Sequence, residues 1–322
     1  MSSRLCKSAL AGLLAGMALV AACGSGSAPP VHASPPVHAS PPVHASPPVH
    51  ASPSETPAPD AGRKVMIIAE ENHGYDQIIG NPHAPYLNRL AADYGTAVDY
   101  DAGYPAHCPS LAAYILMTSG TTAGICDDKD PKVHPLTGDN IFHQVSASGR
   151  EWRDYAEAEP GPCALTGHGR YLVRHVPAAY YLDVRAACRH WTVPIAALHD
   201  SLPAFSFVSP DACHDMHGAA GCSPDLVGAG DRWLQTWLPQ IMAGPDYRSG
   251  RLTIVVTWDE GTSTSNHIPT LVMSSKLRHI AVNRPLNHCS LLRFTEEQLH
   301  LPLLRCAAVA RSLGPSFGLG TA

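Results

Sequence analysis

Lys64 to Ala69 reads Lys-Val-Met-Ile-Ile-Ala, an unbroken apolar run of the kind that marks a strand buried on both faces of a parallel sheet. It stops abruptly at Glu70-Glu71-Asn72-His73. Leu252 to Trp258 has the same β-branched character and stops at Asp259-Glu260-Gly261. Ala204 to Val208 leads into a polar stretch from Ser209 to Gly218, and Ile268 to Met273 directly follows His267. Between these runs the pattern turns helical: Ala84 to Tyr94 closed by Gly95, Asn140 to Ser148 closed by Gly149, and Asp225 to Ile241, where Trp233 and Trp237 share a packing face. Strands alternating with helices predict an α/β chain, a three-layer α/β/α sandwich around a mostly parallel central sheet. In open sheets of this kind ligands collect beyond the carboxyl ends of the strands. Three of the four polar clusters fall there, with His267 entering just before the fourth strand. The clusters are expected to converge on one site.

The first sixty residues follow another pattern. Arg4 and Lys7 precede an uncharged run from Ser8 to Ala22 that is short for a membrane-spanning helix and reads as a signal peptide over 1–22. The junction Val20-Ala21-Ala22-Cys23 resembles the lipobox of bacterial lipoproteins, in which the Cys becomes the lipidated first residue. Cys23 is therefore the expected palmitate-type anchor, and simple cleavage with secretion is the alternative. From Pro29 to Ser52 the hexapeptide Pro-Pro-Val-His-Ala-Ser occurs four times in tandem. Paired prolines favour extended polyproline II, so at roughly 3.1 Å per residue this segment is a stalk some 70 Å long. Residues 23–62 thus read as anchor and linker, and 63–322 as one folded domain outside the cytoplasm. The repeated His32, His38, His44 and His50 belong to the spacer.

Composition narrows the function. With 45% apolar and 15% charged residues the domain can bury a sizeable core. A net charge of −5, from 22 basic and 27 acidic side chains, offers no field for a phosphate backbone, so no nucleic-acid partner is expected. The chain has 19 His and 10 Cys, a bias toward metal chemistry and an oxidising compartment. Glu71, Asp259 and Glu260 would bring three carboxylates to one sheet edge, and like charges that close do not all stay ionised without a cation. Carboxylates and the Asn72 carbonyl suit Mg, Ca or Mn, and His267 would also admit Zn. Ser110 stands at the start of the apolar helix Leu111 to Thr118. There it is either an ordinary N-cap or a nucleophile beside helix N–H groups open to a phosphate.

Taken together, Glu71-Asn72-His73-Gly74-Tyr75-Asp76, His107-Cys108-Pro109-Ser110-Leu111, Ser209-Pro210 to Asp215-Met216-His217-Gly218, and Trp258-Asp259-Glu260-Gly261 with His267-Ile268-Pro269 resemble the phosphoesterase family of bacterial phospholipases C and acid phosphatases, in the alkaline phosphatase superfamily. Arg174-His175-Val176-Pro177 resembles its His-Asn-Pro segment. The resemblance implies an alkaline phosphatase-like fold and hydrolysis of phosphate mono- or diesters. It implies metal ligands Glu71, Asn72, Asp259 and Glu260, with His217 and His267 at the phosphoryl oxygens or the metal. One position departs from the pattern: relatives carry Thr or Ser where this chain has His107. Three readings follow, with Ser110 attacking, His107 itself phosphorylated, or a tethered protein that binds phosphoesters without turnover. A sulfatase-like activity lacks the Arg its motif requires, since Leu111 and Ala112 follow Ser110.

Setting aside Cys6 and Cys23, eight cysteines remain, an even number with no close Cys-x-x-Cys pair. They are expected to pair with sequence neighbours. Cys108–Cys126 would then clamp the Ser110 helix, and Cys213–Cys222 the loop carrying His217.

Overall fold

The structure is a computed structural model that describes residues 62–161, 163–187, 192–198, 201–262 and 266–320. The signal peptide, Cys23 and the repeats lie outside the described residues. The strands are β1 (Lys64–Glu70), β2 (Gly95–Ala97), β3 (Tyr100–Asp101), β4 (Trp152–Ala156), β5 (Thr192–Pro194), β6 (Phe205–Ser209), β7 (Leu252–Trp258), β8 (Thr270–Met273), β9 (Ile280–Val282) and β10 (Leu286–Asn287). Eight of them form one sheet in the order β5-β4-β6-β1-β7-β8-β2-β9, and β3 pairs with β10 separately. All ladders of the large sheet are parallel except those of β8, which runs antiparallel to β7 and β2.

The centre of the sheet is built from the runs that sequence marked. In β1 and β7 every side chain but Lys64 is buried, so both faces of the sheet are covered and alternation is absent. The helices are α1 (Tyr75–Ile78), α2 (Pro85–Asp93), α3 (Leu111–Ser119), α4 (Ile141–Ala147), α5 (Leu226–Ala243), α6 (Pro245–Arg248), α7 (His288–Gln298) and α8 (Leu313–Ser316). The sequence places α2 and α4 to within about a residue or two. It stops α5 short at Ile241, whereas that helix continues to Ala243 with Pro239 inside it. Among the described residues no helix is long and apolar enough to cross a membrane.

Helix α3 has no polar face. Every residue from Leu111 to Ser119 is buried, so it runs through the core with α7 and α4 as neighbours. It ends at Gly120, whose φ of +73° is the left-handed closure that glycine supplies without strain. Disulfides join Cys108 to Cys126, Cys213 to Cys222 and Cys289 to Cys306, the sequence-neighbour pairing expected. Cys163 is also oxidised, and Cys188 lies outside the described residues. Trp233 is buried, and its ring centre lies 6.3 Å from that of the half-buried Trp237, in keeping with a packing role.

Gly230 lets α5 press onto the loop after β6. A Cβ there would meet the His214 carbonyl at 2.7 Å and Met216 Cε at 2.5 Å. The carbonyl belongs to the backbone leading into Asp215 and His217, so relief requires that loop to move. Gly230→Ala is expected to cost about 1–3 kcal/mol of stability, the usual range for overpacking. Urea unfolding checks this, and an unchanged midpoint would mean that the loop yields freely.

Candidate active site

The carboxyl ends of β1, β6 and β7 meet, and each strand delivers acid groups there. Glu71 follows β1 directly, Asp259 and Glu260 follow β7, and Asp215 comes from the loop after β6. All four are buried. Asn72 turns the chain out of β1 with φ at +50°, a left-handed conformation that asparagine tolerates better than most residues. That turn sends the Asn72 side-chain amide to Glu71 Oε2 (3.2 Å), while its N–H donates to Asp259 Oδ1 (3.1 Å). The Glu260 N–H also donates to Asp259 Oδ1, at 2.6 Å.

Ser110 lies inside this nest. Its hydroxyl donates to Glu71 Oε2 at 3.0 Å and approaches Glu260 Oε1 at 3.5 Å. It is not the side-chain cap of α3. The helix N-terminus is also not open to an anion in the way the sequence suggested. Asp128 Oδ1 accepts the Leu111 N–H at 3.1 Å, while the Ala112 and Ala113 N–H groups bond to Pro109 and Ser110 carbonyls. The Cys108–Cys126 disulfide brings the loop carrying Asp128 alongside.

Neutral groups brace the acids. Tyr114 donates to Glu71 Oε1 (2.7 Å) while its ring stacks on His175, and Tyr104 donates to Glu260 Oε2 (2.9 Å). His175 stands between Asp215 and Glu71, 3.1 Å from an oxygen of each. Burial holds its pKa well below the usual histidine value; its Nδ1 hydrogen-bonds Asp215 Oδ2, and Nε2, facing Glu71, makes no hydrogen bond among the described residues. His288 Nε2 meets the Asp259 carbonyl at 2.8 Å, and burial lowers this histidine to about 4, so it is a neutral strut. His217 adjoins the group: its N–H donates to Asp215 Oδ1 at 2.7 Å, and its ring centre lies 5.8 Å from that of His175.

Two sequence candidates stand apart. His107 is exposed, and no hydrogen bond or ion pair among the described residues ties it to the acids. His267 stacks on Tyr75 and shares a hydrogen bond from Nε2 with the Val98 carbonyl, without hydrogen-bond contact to the cluster. Sequence reasoning assigned no role to Tyr104, Tyr114, Asp128, Arg174, His175, Asp215 or His288. The Arg174-His175 and Asp215 segments had been singled out as motifs; the two tyrosines, Asp128 and His288 carry no local signal.

The electrostatics ask for a cation. Desolvation, then repulsion from Asp259 and Asp215, drives Glu71 well above the ordinary carboxyl range. Desolvation and Glu260 push Asp259 to about 8, and desolvation chiefly takes Glu260 to about 6. Glu70, wholly buried with neither oxygen partnered, is likewise raised by desolvation. Asp259 Oδ2 is buried without a hydrogen-bond partner, an open hard-oxygen ligand. Among the described residues, three tighter groupings of ligand-type residues lie elsewhere. In His107-Cys108-Cys126 the sulfurs are spent in a disulfide. Asp139-His143-Asp183 is exposed, and in Glu157-Asp211-His214 the acids are answered by His214 and Arg170. Glu71, Asn72, Asp259 and Glu260 therefore fit a divalent cation better than any of these.

A sign follows for stability. Asp259 and Glu260 keep their protons in the folded chain to about 8 and about 6, whereas unfolded they would release them near 3.8 and 4.5. The contribution of these two groups to the stability of the cation-free protein is thus fully present below their unfolded values and is lost as pH rises through this window. Melting temperatures in chelator should decline from pH 5 to pH 8, and a saturating divalent cation should flatten the slope. In chelator at pH 8, Asp259→Asn should melt higher than wild type, because it removes a buried charge. A melting temperature independent of both pH and cation would contradict the account.

Comparison with known proteins agrees with this geometry. A model of the phosphoesterase family matches residues 81–302. The match starts beyond Glu71 and Asn72, which rest on the geometry above. The phosphatidylinositol-3-phosphatase of Mycobacterium tuberculosis is 30% identical over 245 residues, covering 74% of this chain and 77% of that protein. Among solved structures, an alkaline phosphatase superfamily protein from Vibrio parahaemolyticus is similar with a TM-score of 0.53 at 11% identity, over 77% of this chain and 70% of that one. The lipoteichoic acid synthase of Listeria monocytogenes has a TM-score of 0.53 at 6% identity, over 77% and 75%. Likeness at such low identity speaks for the fold alone, which is the mostly parallel α/β architecture of that superfamily. By the family match and the related phosphatase, the chain belongs to the phosphoesterase family and is a hydrolase acting on phosphoric ester bonds.

Proposed function

We propose that the chain is an exported, divalent-cation-dependent phosphoesterase that cleaves phosphate mono- or diesters with Ser110 as nucleophile. The observation that carries the reading is a buried serine hydroxyl 3.0 Å from Glu71 within a nest of buried acids, among them Asp259 with an oxygen that has no hydrogen-bond partner. Glu71, Asn72, Asp259 and Glu260 would hold the cation, which is Mg, Ca, Mn or Zn by ligand type. When bound it would supply neutralisation of the acids and Lewis acidity toward a phosphoryl oxygen.

The residues of the chain do the rest. Ser110 Oγ forms the new bond to phosphorus as the ester P–O bond breaks, and the alcohol departs with a proton. Its own O–H is already directed at Glu71 Oε2. Water then cleaves the serine–phosphorus ester, returning the hydroxyl and releasing phosphate from a monoester or a phosphate monoester from a diester. Tyr104 and Tyr114 fix the Glu260 and Glu71 carboxylates, and His288 fixes the Asp259 backbone, so little reorganisation accompanies the reaction. His217 stands at the edge of the group, its main-chain N–H on Asp215 and its ring nitrogens on Arg174 and the Gly218 carbonyl, while His107 and His267 are not needed for this scheme.

Export fits the oxidised cysteines, since structural disulfides persist outside reducing compartments. On this reading residues 1–22 are removed, Cys23 tethers the protein to the cell membrane, the repeat up to residue 62 is a spacer, and 63–322 is the catalytic domain. The name of the M. tuberculosis relative places a phosphoinositide among the substrates worth trying.

Nitrophenyl phosphate, its diesters and a phosphoinositide should be turned over with cation and not in chelator. Ser110→Ala should lower kcat by about a thousandfold or more while keeping the wild-type melting temperature. Near-wild-type turnover by Ser110→Ala would remove the serine from the scheme, and His107→Ala would then be the next variant to read.

A further inference from the structure

Arg174 is unused by the scheme above, yet it is held beside the acids with unusual care. It sits in the short 3-10 turn Val173–His175, so the chain that presents His175 to Glu71 presents Arg174 next to it. Its Nη2 donates to His217 Nε2 at 3.0 Å. That contact leaves the His217 proton on Nδ1, which donates to the Gly218 carbonyl at 2.9 Å. The Arg174 Nε stands 3.2 Å from Asp128 Oδ2, and the other oxygen of Asp128 takes the N–H of Leu111, the residue after Ser110. One carboxylate therefore spans the guanidinium and the helix of the nucleophile. Cys126, two residues before Asp128, is bonded to Cys108, two residues before Ser110, so the span has a covalent frame.

Arg174 also brings a positive charge to the edge of the acidic nest, one residue from His175, which stands 3.1 Å from an oxygen of Glu71 and of Asp215. Its side chain keeps 20% exposure, and among the described residues Nη1 makes no hydrogen bond, so part of the fork stays available to a ligand. A surface salt bridge would explain the contact with Asp128. It does not explain a guanidinium oriented from two sides, at the edge of a buried acidic nest, with one arm free.

We propose that Arg174 is a substrate-binding residue that grips the non-bridging phosphoryl oxygens and tilts the site toward phosphate monoesters, an inference that rests on the Ser110 reading. A monoester brings two negative charges to a site already crowded with acids. A planar guanidinium answers such a dianion with paired charge-assisted hydrogen bonds. A diester carries one charge and one fewer free oxygen, so it draws less from the same contact. Asp128 and His217 act through Arg174, as positioning residues.

The test compares wild type, Arg174→Ala, Arg174→Lys and, as an unrelated surface control, Arg232→Ala, all with saturating cation. Substrates are nitrophenyl phosphate and its methyl diester, and binding of inorganic phosphate is followed by calorimetry. Arg174→Ala should lose about 100-fold in kcat/KM for the monoester and less than about tenfold for the diester. Phosphate affinity should fall with it, and added guanidinium ion should restore part of the monoester activity. Arg174→Lys, keeping the charge without the fork, should fall between, and it serves in place of the alanine variant should that fail to fold. Equal losses on both esters, with unchanged phosphate affinity and no rescue, would reduce Arg174 to a structural clamp. Wild-type turnover surviving in Ser110→Ala overturns the serine reading instead, a separate outcome.

Discussion

Four carboxyl groups taken out of water at the ends of neighbouring strands are the constraint around which this molecule is arranged. Burying an ionised acid is costly unless it is paired, and here the partners that could pay are few. Tyrosine hydroxyls, main-chain N–H groups and one serine supply hydrogen bonds without supplying charge. The remainder of the fold keeps those acids from escaping to solvent. Strands β1 and β7 are buried on both faces, α3 has no polar side, and His288 pins the carbonyl of Asp259.

The same arrangement explains the left-handed Asn72. A residue in the ordinary extended region would carry the chain onward and take its side-chain amide away from Glu71. Local conformational cost is thus accepted where it orders the acids. The fold tolerates it because β1 lies mid-sheet, hydrogen-bonded on both edges.

Much of this was legible along the chain, for identifiable reasons. Leu252–Trp258 is read to the residue because a strand buried on both faces leaves an uninterrupted apolar run bounded by charge. Glu71, Asn72, Asp259 and Glu260 could be grouped because the parallel sheet puts the ends of such runs side by side. What stayed hidden depends on contacts distant in sequence. Asp128 resembles any loop aspartate until the disulfide folds it against Leu111, and nothing around Tyr114 within a helix tells that its hydroxyl meets Glu71. The direction of β8 is likewise set by its neighbours, so His267 precedes an antiparallel strand and turns to Val98.

The bond between Cys108 and Cys126 has a consequence for timing. Ser110 and Asp128 flank it at the same remove, so the pair of sulfurs works as a latch on the two ends of the reactive loop. A newly made polypeptide in a reducing milieu has that latch open. The Leu111 N–H bond to Asp128 is then left to hold the two ends together without a covalent frame.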